Sequence, residues 1–239
     1  MPAMISRAAQ FKHFSPDDEI MPGVRYGLSG WVPTPAFWVA MADLEGDDAE
    51  DYISPRGAPL AEDLAFCLLG GYGVKMELNQ AAWDHLYDAG VFAADPVPSR
   101  DEIERLLSMP LSVHGRLQRY RYPRQRAGRL NVALNSIRDR PPLTDDPLIF
   151  RRELMELPGI GPKTASWIVR NWLGSDEVAI LDVHVLRAGT AIGLFPQKYR
   201  LPQDYEALER RFLEFARILK IRASLLDAIM WREMRILHS

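Results

Sequence analysis

A reversal pinned by glycines between two helical patterns does most to limit how this chain can fold. Residues 149–173 read IFRRELMELPGIGPKTASWIVRNWL, with apolar residues three and four apart on both sides of Leu157-Pro158-Gly159-Ile160-Gly161. Gly159 and Gly161 permit backbone conformations that a side chain obstructs, and Ile160 between them predicts an apolar plug fastening the turn to a core. Pro162 suits the first position of a helix, where its missing N–H has no partner in any case. The spacing predicts two helices joined by a tight turn, the second starting at Pro162 with Lys163 at its second position. Unpaired N–H groups at such a start, together with the positive end of the helix dipole, attract an anion. Glycine turns between helices are common. Hydrophobic-Pro-Gly-hydrophobic-Gly followed by Lys is far narrower, and it assigns Gly159, Ile160, Gly161 and Thr164 to a nucleic-acid phosphate.

The same periodicity recurs along most of the chain. Helices are predicted over 61–71, 78–90, 99–109, 122–138, 145–156, 162–173, 183–193, 203–219 and 222–237, with Gly70, Gly90 and Pro110 as stops. No strand pair is expected after residue 56, so the reading is a compact all-α fold. The first 55 residues, rich in Pro, Gly and aromatics and then acidic, predict an irregular extension whose Trp31, Phe37 and Trp38 bury against the main body. Residues 56–239 form the helical domain. A chain of 239 residues buries a sizeable core without a covalent staple. The single cysteine, Cys67, excludes an internal disulfide and any four-cysteine zinc or iron–sulfur site within the chain. The histidines show no metal-ligand spacing, and no metal is assigned. No apolar run approaches the roughly 20 residues that cross a bilayer, and the N-terminus lacks a secretory pattern; a cytoplasmic location is expected.

A net charge of −3 argues weakly against a polyanionic partner, but its distribution says more. Residues 43–51 (DLEGDDAED) hold six acids and no base, whereas residues 116–140 hold eight arginines against Asp139 alone. The arginines interleave with Tyr120 and Tyr122. A solvated helix face explains many charge runs; this one favours contact with a nucleic-acid backbone, with Arg124 and Arg126 as the named residues.

With Lys163 behind the glycine turn and Asp182 in the VAILDVHVLRAG that follows, the chain resembles the helix-hairpin-helix superfamily of base-excision DNA glycosylases. The resemblance runs from about residue 60 to 239 and is closest to the archaeal-type 8-oxoguanine glycosylases with AP lyase activity. YRYPRQRAGRL (120–130) is similar to the arginine-rich helix start of that group, and LLDAIMWREM (225–234) to its C-terminal helix. The endonuclease III and adenine-glycosylase branches usually end in a four-cysteine iron–sulfur loop, which this chain cannot build. The resemblance implies a two-lobe glycosylase fold acting on damaged double-stranded DNA, with Lys163 as nucleophile and Asp182 as its carboxylate partner. It implies no required cofactor, a monovalent cation as an optional guest at the turn carbonyls, and a nucleoid-associated monomer.

Chemistry gives these residue types a reason. A lysine amine attacks the sugar C1′ and becomes a Schiff base that promotes strand cleavage. A free lysine with a pKa of about 10.4 is neutral about once in 2,500 molecules at pH 7, which predicts a poorly solvated Lys163. Asp182, just before VHVLRAG, reads as a helix N-cap and, in the family, as the charge that stabilises the cationic sugar or assists proton transfer. A flipped base needs a flat, mainly apolar pocket; Trp167, Asp227, Trp231 and Arg232 are candidates, with core packing or solvated surface as equal readings. Two other functions fit the sequence: a glycosylase for another modified base, and a noncatalytic DNA-binding protein whose Lys163 touches phosphate.

Overall fold

The computed structural model describes residue 11 and residues 14–46, 59–71 and 73–237. Among these the chain is mainly helical: α1 (Pro35–Glu45), α2 (Leu60–Leu69), α3 (Met76–Asp88), α4 (Arg100–Ser108), α5 (Pro123–Asp139), α6 (Pro147–Met155), α7 (Pro162–Leu173), α8 (Val183–Ala191), α9 (Tyr205–Ile218) and α10 (Ala223–Leu237). Two antiparallel strand pairs accompany them, β1 (Glu19–Met21) with β2 (Val24–Arg25) and β3 (Leu111–Val113) with β4 (Arg116–Gln118). Helix starts follow capping chemistry. Thr34 accepts from the Phe37 N–H ahead of Pro35, Ser99 from the Glu102 N–H, and Asp146 from the Leu148 and Ile149 N–H groups ahead of Pro147.

The chain forms two compact units, one from Met1–Ile53 and Val169–Ser239, the other from Ser54–Ile168. In the discontinuous unit, α10 packs on α1, α8 and α9. Its core takes Val24, Trp38, Val39 and Ala42 from the N-terminal part and Phe212, Phe215, Leu226 and Met230 from the C-terminal part. Gly189 is required there because an added Cβ would fall 2.3 Å from the Phe195 ring. In the continuous unit, α5 packs on α2 and α4, and α3 on α2, α4 and β3, over buried residues such as Leu64, Leu68, Leu107, Leu130 and Phe150.

Two expectations change. The hairpin at 111–118 contradicts the absence of strands after residue 56. His114 and Gly115 sit at φ 49° and 74°, the two-residue turn that suits the twist of a hairpin, and Leu111 and Val113 bury on one face. Three-residue strands are too short for alternation to stand out in the sequence. In the N-terminal segment residues 35–45 are a capped helix, and Trp38 is fully buried, but Trp31 is 68% exposed. Trp31 lies in the turn before Thr34, whose single hydroxyl proton is within reach of both the Leu28 and the Trp31 carbonyls.

Candidate active site

The turn between α6 and α7 has the predicted form. Ile160 is 5% exposed and its N–H donates to the Leu157 carbonyl, while Gly159 and Gly161 lie at the surface. Gly159 has φ +91°, and a Cβ built there would lie 2.6 Å from Cδ of Arg129. Arg129 on α5 thus lies over the turn, a neighbour that sequence reading did not single out among the eight arginines. Gly159→Ala is expected to destabilise the fold by about 1–2 kcal/mol through left-handed backbone strain alone, with more if Arg129 cannot swing aside. A lowered denaturant midpoint at unchanged m-value measures it.

Lys163 occupies the second position of α7 and is exposed, so the expected burial is absent. The two residues just before it, Gly161 and Pro162, carry no long side chain that could cover it. Its ammonium acts on the Cys67 thiol of α2. Burial pushes that thiol well above its ordinary range, Asp63 pushes the same way, and Lys163 pulls it down. One turn on, the partly buried Trp167 stacks on Phe66, with centroids 6.0 Å apart and planes 24° from parallel. Thr164 is partly buried.

The arginine-rich segment divides. Arg124 is exposed and lines a surface hollow of about 460 Å³ with Arg100, Arg121, Tyr122, Pro123 and Gln125 at the start of α5. Arg126 is only 8% exposed, lies 5.9 Å from the Tyr122 ring centroid and bonds to Tyr120. Burial pushes the Tyr120 phenol up to about 12 against the pull of Arg126, and its hydroxyl donates to the Leu69 carbonyl. Arg126 is therefore a buried tie within the unit, not a backbone-contacting surface arginine. One helix turn places it inward, and a charge run does not show which of its members face solvent.

Asp182 belongs to the other unit and caps α8. One carboxylate oxygen accepts from the His184 and Val185 N–H groups, each at 2.9 Å. The segment before it is held from outside: Asp176 accepts from the Ser224 N–H and the Arg222 side chain, and Ile180 N–H donates to Asp227 at 2.9 Å. Asp227 is 2% exposed and pairs with the equally buried Arg170 at 2.8 Å. Burial raises its carboxyl to about 7, with Arg170 and the Ile180 N–H pulling it down and Asp176 and Asp182 pushing it up. Arg170 also donates to the Ser224 carbonyl and to Asn171. Asp227 has no free edge to read a base, which corrects its assignment to the pocket. Arg232 is likewise committed, to Glu45 at 2.6 Å and Glu233 at 2.9 Å. Trp231 packs against the core with Arg235 4.4 Å above its ring. Sequence reading missed Tyr205 and Glu209, whose oxygens meet backbone N–H groups at 181 and 179. Only a carboxylate on the apolar face of α9 hints at them, since their partners are more than 20 residues away.

Between Leu157 and Gly161 the turn has no acid. The Leu157 and Gly161 carbonyls accept from the Ile160 and Ala165 N–H groups and keep a second lone pair each, which suits a weakly held monovalent cation better than a divalent one. Among the described residues no cluster of three His, Cys, Asp or Glu could hold a metal, and no helix is long and apolar enough to cross a membrane.

Residues 58–221 match the Ogg-HhH family, described as 8-oxoguanine DNA glycosylase. The 8-oxoguanine DNA glycosylase/AP lyase of Saccharolobus islandicus is 35% identical over 94 residues, which are 38% of this chain and 45% of that relative. The matched stretch thus spans under half of the relative's length. Among solved structures, the 8-oxoguanine DNA glycosylase of Thermotoga maritima superposes with a TM-score of 0.55 at 25% identity, covering 72% of this chain and 77% of that one. The Methanocaldococcus jannaschii enzyme in complex with a 15mer DNA containing 8-oxoguanine gives 0.53 at 22% identity over 72% and 78%.

Proposed function

The chain belongs to the Ogg-HhH family of 8-oxoguanine DNA glycosylases, and on that premise we propose that it is a bifunctional DNA glycosylase/AP lyase that excises 8-oxoguanine from duplex DNA. The observation that carries the reading is the placement of Lys163, exposed at the second position of α7 directly behind a glycine turn whose Ile160 is buried. The turn offers its N–H groups to a backbone phosphate, so the amine stands where a gripped strand passes. Exposed Arg124 and its neighbours at the start of α5 add positive charge on the same unit.

In the proposed reaction the target nucleotide leaves the stack and the Lys163 amine attacks C1′. The C1′–N9 bond breaks, and its electron pair leaves with the base, which takes up a proton. The sugar ring opens to a protonated Schiff base, whose pull on electrons acidifies C2′. Loss of that proton expels the 3′-phosphate and cuts the strand. Asp182, fixed by two N–H groups, is the carboxylate assigned to the positive charge that develops on the sugar. Solvent on Lys163 in the free protein is removed when DNA covers the amine, so substrate binding supplies the desolvation that the protein alone does not. The chemistry needs no cofactor, and the protein works as a monomer at the nucleoid.

The reading is tested with a duplex carrying one 8-oxoguanine. Base release, strand scission and a borohydride-trapped covalent adduct are the expected results. Binding with neither release nor adduct would identify a noncatalytic DNA-binding protein, and an adduct only with another lesion would overturn the substrate.

A further inference from the structure

We propose that Tyr205, Glu209 and Asp227 are positioning residues that hold the segment leading into Asp182 and thereby set where its carboxylate stands. The inference rests on the reading of Asp182 as a participant in base excision. Residues 179–181 lie between two elements and pair with no strand, yet their three consecutive N–H groups are all taken by side-chain oxygens from two helices. Ala179 donates to Glu209 of α9 at 3.0 Å, Ile180 to Asp227 of α10 at 2.9 Å, and Leu181 to the Tyr205 hydroxyl of α9 at 3.2 Å. The same hydroxyl donates to the Ala179 carbonyl at 2.8 Å, and Asp182 N–H closes onto the Ile180 carbonyl at 3.1 Å.

All three side chains are at most 3% exposed. Two buried carboxylates for a three-residue segment is a costly way to satisfy backbone donors. A glycine turn or a longer α8 would satisfy them with no buried charge. What the carboxylates add is a fixed position, since each is tied to a helix whose apolar face is packed. The tie on Asp227 is the Arg170 guanidinium at 2.8 Å.

The other charges facing Asp227 are Asp176 and Asp182 from the adjoining segment; Glu209 of α9 is bonded to Ala179, and Glu45 of α1 is taken by Arg232. Protonation of Asp227 releases Arg170 and slackens the hold on Ile180, and a carboxylate displaced by an ångström loses on the order of a hundredfold in rate.

Two variants test this by single-turnover excision alongside DNA affinity. Asp227→Asn is a permanently neutral mimic of the protonated residue. The ratio of wild-type to Asp227→Asn rates is expected to be at least about tenfold at pH 8 and to fall as the pH is lowered and the wild-type carboxyl protonates. Lys163 is common to both proteins and cancels from that ratio. Tyr205→Phe removes one oxygen and no volume, so it folds; excision is expected to slow several-fold with DNA affinity unchanged and with no dependence of the ratio on pH. A merely structural role lowers thermal stability and leaves the folded protein's rates and their pH profile alone. Wild-type excision by Tyr205→Phe, or by a folded Asp227→Asn at every pH, overturns the proposal. A wild-type protein that excises nothing overturns the glycosylase reading itself and this inference with it.

Discussion

Lys163→Gln is expected to abolish the borohydride-trapped adduct and to lower base release by on the order of 10³-fold or more, with folding untouched. The amide of glutamine reaches as far as most of the lysine stem but has no basic lone pair, so no imine forms and β-elimination has no electron sink. Position 163 is exposed at the second residue of α7, where a surface substitution by a good helix former shifts stability by less than about 0.5 kcal/mol. Loss of activity would therefore report chemistry and not collapse. DNA affinity should fall only slightly, since the turn N–H groups remain. An adduct that persists in Lys163→Gln would move the nucleophile elsewhere.

Asp182 separates into two roles that two variants divide. Asn caps a helix about as well as Asp, whereas Ala leaves the N–H groups without a partner at a cost of about 1 kcal/mol. Asp182→Asn should keep the bonds to His184 and Val185 N–H and hold thermal stability near that of the wild type. Asp182→Ala should lower it measurably. Excision is expected to fall in both by about 10²–10³-fold, the size of a lost preorganised charge. Were Asp182→Asn to excise at the wild-type rate, the carboxylate would be a helix cap and nothing more.

The hairpin could be read in the sequence because its constraints are local. Gly159, Ile160, Gly161 and Pro162 each answer a demand set by residues within one turn, and α7 begins and ends at the predicted residues, Pro162–Leu173. The helices from α2 onward were legible for the same reason, since period and capping are short-range signals. What escaped was which way a side chain faces. Arg126 is buried beside Tyr120 and Tyr122 in its own segment, and Asp227 is consumed by Arg170, far away in sequence. A guanidinium or carboxylate written in a sequence carries no mark of whether it faces solvent. Lys163 failed in the opposite direction: chemistry argues for a dry amine, but dryness need exist only while substrate is bound.

The unit built from both ends of the chain also constrains how the protein is made. Trp38, Val39 and Ala42 of α1 bury in a core shared with α10, and almost the whole of Ser54–Ile168 leaves the ribosome before α10 exists. At about 5–20 residues per second, an apolar helix waits roughly 10–40 s for its partner. During that interval the neighbouring unit can close on local contacts, while α1 remains a client for whatever shields nascent hydrophobic surface. Trimming the chain to residues 58–221 would make that wait permanent, removing α1 and α10 together and leaving the apolar faces of α8 and α9 bare to water.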